Sequence, residues 1–180
     1  MIKNRKIFPG IIAYYGFYED PMEIFNGVEE DGGWHVAETG SYGEGPSVIE
    51  EKRKGWMHAL KNLKKEKKIE KFVTEAIQHY RSVYGVDLKK IEGWCLLKYD
   101  EGDFFVAHTD NSHEYPRNIS MVYYGNDDYI GGEIEFIYFN NLRIKPKAGE
   151  LLIFPSNYIY VHQVNKIISG QKYAATSFAY

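Results

Sequence analysis

Residues 91–110 read IEGWCLLKYDEGDFFVAHTD, and this stretch decides the fold. Ile91 to Tyr99 alternates, Asp100-Glu101-Gly102-Asp103 supplies turn chemistry, and Phe104–His108 starts a second extended run. The pattern repeats downstream through Ile119–Tyr124, Glu133–Phe139, Glu150–Phe154, Tyr158–Val164 and Lys172–Tyr180. Turn residues lie between these runs: Gly125-Asn126-Asp127-Asp128, Gly131-Gly132, Pro146 to Gly149, and Ser169-Gly170. Short strands with tight turns predict a mainly β fold, a sandwich or barrel backed by helices.

Moving toward the N-terminus, the pattern changes. Asp20-Pro21 followed by Glu23 offers a cap, a proline at the first helical position and an acid three residues past the cap. That predicts a short helix carrying Ile24, Phe25 and Val28. From Asp31 to Ser47 the chain is rich in glycine (Gly32, Gly33, Gly40, Gly43, Gly45) and reads as a long loop, with one strand around Trp34. Such a loop is a lid or a plain connection with about equal expectation. Ile49 to Tyr84 reads as helical. Ile69, Phe72, Val73, Ala76, Ile77, Tyr80, Val83 and Tyr84 draw one apolar stripe, which Gly85 ends. The lysines at 64, 65, 67 and 68 are interrupted by Glu66 and read as a solvated helix junction rather than a phosphate site. One domain is expected over 1–180, helical across residues 1–88 and with a β core across residues 89–180.

Composition narrows the function. The chain is 44% hydrophobic and 26% charged, which is globular rather than disordered. Its aromatic share of 16% suits strands and a half-wet cleft. A formal charge of −3 argues against broad attraction to nucleic acid. The lone Cys95 excludes an internal disulfide and a zinc site built on several thiolates; it reads as a small buried hydrophobe. No apolar run approaches the ~18 residues that span a membrane. The basic N-terminus with its apolar stretch Ile7–Tyr15 imitates a signal peptide, but Pro9-Gly10 breaks it. A cytoplasmic protein, with no membrane partner, is expected.

The chemistry concentrates at His108-Thr109-Asp110. Two residues apart on a strand, an imidazole and a carboxylate share a face and can meet one ion. His162, from a later strand, could supply a second imidazole. Two His and one carboxylate leave coordination positions open, the set used by non-haem Fe(II) oxygenases. An H-x-D pair alone arises easily by chance, and His113 is an alternative partner, though its polar loop suggests exposure. Lys172 opens an apolar final strand. By itself it reads as an exposed strand-start lysine; if buried, its ammonium needs an anion.

Taken together, these elements resemble the prolyl 4-hydroxylase branch of the 2-oxoglutarate/Fe(II) oxygenases. The matching text runs Tyr99-x-x-Gly102-x-x-Phe105-x-x-His108-x-Asp110, then Arg117-x-x-Ser120-x-x-Tyr123-Tyr124. It continues with Gly131-Gly132-Glu133 and Phe136, Pro146-x-x-Gly149 and Phe154, His162, and Gly170-x-Lys172-Tyr173. The resemblance covers nearly half the chain.

It implies a double-stranded β-helix, or jelly roll, with N-terminal helices packed on it. His108, Asp110 and His162 would hold Fe(II). Lys172, Tyr99 and Tyr124 would hold 2-oxoglutarate, O2 would be the oxidant and ascorbate an accessory reductant. Arg117, Phe105 and Phe178 would lie near the substrate mouth, with Trp94 a further candidate for its apolar wall. The implied reaction hydroxylates prolyl residues in a peptide or protein and releases succinate and CO2. Two departures stand out: Ile134 replaces a threonine frequent in the family after Gly-Gly-Glu, and Phe178 stands where many members carry tryptophan. The alternatives are a hydroxylase of a free amino acid or small metabolite, and a jelly-roll binding module without turnover. A nucleic-acid demethylase is disfavoured by the negative charge and the lack of arginine in the last strand.

Overall fold

The structure, a computed structural model, describes residues 2–16, 19–41 and 45–180. Strand alternation organises it. In Ile119–Tyr124, side chains at 119, 121 and 123 join one hydrophobic cluster while Val122 and Tyr124 join another. Leu151–Pro155 divides the same way, with Leu151 and Ile153 on one side and Leu152 and Phe154 on the other. A strand with two apolar faces is a central strand covered on both sides.

That sheet has eight strands. Their order is Lys3–Phe8, Ile11–Tyr15, Leu151–Pro155, Ile119–Tyr124, Lys172–Ala179, Cys95–Tyr99, Trp56–Ala59 and His35–Val36. A second sheet of five runs Leu142–Ile144, Ile134–Phe136, His162–Val164, Phe104–His108 and Arg53–Lys54. All pairings in both are antiparallel. Apolar side chains from both sheets, Tyr99, Tyr124 and Phe154 from the first and Ile134 and Phe136 from the second, form one core cluster. This two-sheet β architecture is the jelly roll expected from the sequence.

The outer face of the large sheet is covered by the helix Leu63–Tyr84. Ile69, Phe72, Val73, Ala76, Ile77 and Tyr80 are all buried in the cluster that includes Ile119, Met121 and Leu151. Gly85 ends the helix at φ 66°, a left-handed conformation that costs glycine little, and its N–H donates to the Arg81 carbonyl. Ile69 is fully buried, so Ile69→Val should lower unfolding free energy by about 1 kcal/mol in urea titration. An unchanged midpoint would mean that the stripe does not pack.

The helical reading of residues 1–88 needs correction. Among the described residues this half contributes seven strands and one α-helix. Ile11–Tyr15 is buried at its first four positions and pairs with Leu151–Ile153, extending the large sheet. Its β-branched and aromatic side chains outweigh the helix-prone surroundings. The long helix starts at Leu63, not near Ile49, because Arg53–Lys54 and Trp56–Ala59 are drawn into the two sheets. Gly55 makes that possible: at φ 151° it passes so close to Tyr99 that a Cβ would lie 3.1 Å from the ring. The helix expected after Asp20 is one 3-10 turn, Glu23–Phe25, although Asp20 still accepts from the Met22 N–H at 2.9 Å. Lys65 and Lys68 tie the start of the long helix to that turn, through the Asn26 carbonyl and Glu23.

Smaller differences fall in the β half. Tyr158–Tyr160 is a 3-10 turn capped by Asn157, so that strand shortens to His162–Val164. Leu142–Ile144 and Ile167–Ser169 are strands too short to read from periodicity. Thr39–Ser41 pairs antiparallel with Gly45–Ser47, so the glycine-rich segment contains a strand pair; residues 42–44 lie outside the described residues. Among the described residues no helix is long and apolar enough to cross a membrane.

Candidate metal centre

Phe104–His108 pairs with His162–Val164, and the register places His162 opposite His108. The strand ends at His108, so Asp110 sits in the bend just beyond rather than on the strand itself. Its carboxylate nonetheless bridges the two imidazoles: Oδ1 lies 3.5 Å from His108 Nε2 and Oδ2 lies 3.6 Å from His162 Nε2. The three potential ligand atoms fall within 4.8 Å of one another. His113 is exposed and no part of this group.

Each member is oriented from behind. His108 Nδ1 meets the Val106 carbonyl at 2.8 Å and His162 Nδ1 meets the Tyr160 carbonyl at 3.0 Å. A carbonyl only accepts, so each Nδ1 carries the proton and each Nε2 presents a lone pair. Ser120 donates to Asp110 Oδ2 at 2.6 Å and also shares a 2.8 Å bond with Ser156. Burial pushes the Asp110 carboxyl up, but His162, His108 and the Ser120 hydrogen bond outweigh it and hold it well below the usual carboxylate range. Burial lowers His162 to about 4, against the opposing pull of Asp110. At neutral pH Asp110 is therefore an anion and His162 a neutral imidazole. This donor set fits a divalent iron with positions left open.

Lys172 is 1% exposed, which overturns its reading as a surface lysine. It pairs with Tyr99 across the large sheet, and its ammonium is ringed by Tyr99, Tyr124 and Tyr129 at 5.3–5.8 Å from the ring centres. Its one hydrogen bond is to the Gly132 carbonyl, at 2.7 Å. Burial pulls its pKa down to about 7, with Glu133 partly offsetting this. Tyr99 and Tyr124 also line the cavity, and their hydroxyls make no hydrogen bond to the described residues. A buried lysine with one hydrogen bond and only partial charge compensation, beside two phenols, is a fit for a carboxylate.

His108, Asp110, His162, Lys172, Tyr99 and Tyr124 line one cavity of about 950 Å³. Ile134 lies in its wall, where the departure from the family text puts an apolar side chain beside Lys172 instead of a hydroxyl. Phe105 stacks on His108 with centroids 3.7 Å apart, and Phe178 lies in the opposite wall. Arg117 lines the mouth but is engaged: Nε and Nη2 donate to Glu92 at 2.8 and 2.7 Å, and the guanidinium lies 3.6 Å above Phe178. Trp94 is not in the wall. It shares the parity of Leu96, so alternation turns it to the helix side, where it is 3% exposed. Cys95, of the opposite parity, lines the cavity, and burial raises its thiol pKa.

Sequence reasoning passed over Ser156, Tyr129 and Arg53. Ser156 carried no signal, because its role depends on a sheet partner thirty-six residues away in the chain. Tyr129 stood in a turn, where an aromatic is ordinarily exposed, yet it is 1% exposed and its hydroxyl has no partner.

Residues 94–180 match the family model described as the 2OG-Fe(II) oxygenase superfamily. No curated protein matches the chain. Similar solved structures include a prolyl hydroxylase from Trichoplax adhaerens, in complex with a peptide fragment of the hypoxia inducible factor oxygen degradation domain. Identity is 18%, coverage 95% of this chain and 83% of that one, and the TM-score 0.75. A viral collagen prolyl hydroxylase from Paramecium Bursaria Chlorella virus-1, as its 2OG complex, matches at 19% identity, 94% and 95% coverage and TM-score 0.73. A prolyl-4-hydroxylase from Pseudomonas putida matches at 17% identity, 94% and 91% coverage and TM-score 0.71. The likeness to these structures is one of fold.

Proposed function

We propose that the chain hydroxylates prolyl residues in peptides or proteins as a 2-oxoglutarate-dependent dioxygenase, a reading supported by the match of residues 94–180 to the family model of the 2OG-Fe(II) oxygenase superfamily. Bound together, Fe(II) and 2-oxoglutarate supply an oxidative decarboxylation that consumes O2, yields succinate and CO2, and delivers one oxygen atom to a substrate C–H bond.

The chain's own residues bind and orient. His108 and His162 would hold the metal through Nε2, and Asp110 would neutralise some of its charge. Ser120 fixes the Asp110 carboxylate in place. Lys172 would pair with the distal carboxylate of 2-oxoglutarate, with the Tyr99 and Tyr124 hydroxyls donating beside it. Phe105 and Phe178, with Leu97 and Val122, give the cavity an apolar wall that suits a pyrrolidine ring and excludes water from the reacting carbon.

The observation that carries this reading is the placement of the triad, Lys172 and the apolar wall around a single cavity. Support for the prolyl substrate comes from the fold neighbours, which are prolyl hydroxylases, one with a peptide bound. The test offers single-proline and proline-rich peptides beside free amino acids, with Fe(II), 2-oxoglutarate, O2 and ascorbate. A mass gain of one oxygen on proline is the expected result. Oxidation confined to free amino acids, or to other side chains with every proline untouched, would overturn the substrate and leave the oxygenase class standing.

A further inference from the structure

The cavity contains a cation that neither the metal site nor the cosubstrate site uses. Arg53 faces Phe105 across the strand pair, and its guanidinium lies 4.6 Å from that ring's centre. Phe105 in turn stacks on His108, so guanidinium, phenyl and imidazole form one layered wall that ends at the metal ligand.

The other charges of the cavity are accounted for. Asp110 belongs with the two imidazoles, Arg117 is paired with Glu92, and Lys172 lies in the tyrosine ring. Lys52, Glu38 and Glu114 also line the cavity but are exposed. Among the described residues no carboxylate comes within 4.0 Å of Arg53. Its one hydrogen bond runs from Nη1 to the Glu38 main-chain carbonyl at 2.9 Å, and its Nε is buried without a partner. A half-buried guanidinium with unused donors, held over an aromatic ring, is preorganised for a carboxylate.

We propose that Arg53 binds a carboxylate of the substrate and so selects substrates carrying an acid close to the oxidised residue. The wall around it explains the closeness. Phe105 contacts both the Arg53 guanidinium and the His108 ring, so an anion held by Arg53 would lie near the carbon that faces the metal. Two sources carry that chemistry: an acidic side chain flanking the target residue, or the α-carboxylate of a C-terminal residue or free amino acid. The inference rests on the oxygenase reading of the site and sharpens its substrate class.

Binding under anaerobic conditions, with Fe(II) and 2-oxoglutarate present, reads recognition apart from turnover. Calorimetry compares acid and amide forms of the same ligands: Glu against Gln flanking proline, and a C-terminal prolyl acid against its amide. The same pairs are built on leucyl and lysyl scaffolds. In the wild type the acid form should bind about tenfold more tightly in at least one pair. Arg53→Gln should erase that ratio, and Arg53→Lys should retain some of it. Which pair responds identifies the source of the carboxylate. An acid preference confined to non-prolyl scaffolds would support Arg53 and overturn the prolyl substrate. Equal binding of acid and amide on every scaffold, or a preference that survives Arg53→Gln, would overturn the role of Arg53.

Discussion

Asp110→Ala should cost more than about a hundred-fold in Fe(II) affinity and remove hydroxylation with it. Loss of an outer partner of a ligand typically weakens metal binding ten- to a hundred-fold, and loss of an anionic ligand removes more. The structure explains why nothing nearby can substitute. Asp110 is the one carboxylate in the described cluster, set between two imidazoles whose Nε2 atoms lie 3.5 and 3.6 Å from its oxygens. Ser120 and Ser156 would be left facing the gap with neutral hydroxyls, which are weak ligands. Metal titration of wild type and variant, with circular dichroism as the control for folding, measures the effect. His113→Ala should bind metal normally, since His113 is exposed and outside the cluster. Equal metal binding and equal succinate release by Asp110→Ala would remove the triad from the site.

How much of this was legible in the sequence depends on how local each signal is. The β core was legible because alternation is a property of neighbours: Ile119–Tyr124 and Lys172–Ala179 show their two faces within a single strand. The His108-Asp110 pair was legible because its members are two residues apart, although Asp110 falls in the bend beyond the strand and not on it. The first half was misread because its strands are specified by distant partners. Ile11–Tyr15 becomes a strand by pairing with Leu151–Ile153, and Trp56–Ala59 by pairing with Cys95–Tyr99. Side-chain direction was partly readable and partly misused. The parity that sends Leu97 and Tyr99 into the cavity sends Trp94 away from it, and that could have been deduced from alternation alone. Arg53 and Ser156 could not, because nothing within a few residues of either marks a site. Each acquires its meaning from a strand brought in by the fold, Phe104–His108 for Arg53 and Ile119–Tyr124 for Ser156.

Lys172→Met should raise the 2-oxoglutarate requirement by about ten- to a hundred-fold, as expected for a lost charge-assisted hydrogen bond worth roughly 1.5–3 kcal/mol. The effect should also depend on pH. The groups around the ammonium are the rings of Tyr99, Tyr124 and Tyr129, the Gly132 carbonyl, and the charges of Glu133 and, further off, His162. Burial outweighs Glu133 and lowers the lysine from 10.5 to about 7 before any cosubstrate binds. Between those two values Lys172 holds fewer protons in the folded chain than in the unfolded one, so its own contribution to stability should rise with pH across that window. A cosubstrate carboxylate favours the ammonium, so above about pH 7 its binding must take up a proton, and 2-oxoglutarate affinity should fall as pH rises. Below pH 7 the lysine is already charged and the affinity should level off. Methionine has no proton to bind, so the lysine's contribution to both pH dependences should vanish in Lys172→Met while the fold persists, and the difference between the two proteins isolates it. Cosubstrate titrations and urea unfolding of both proteins from pH 6 to about pH 10 measure the two slopes. If the variant keeps the wild-type cosubstrate requirement at pH 7, the carboxylate is bound elsewhere and Lys172 serves only to anchor the Gly132 turn.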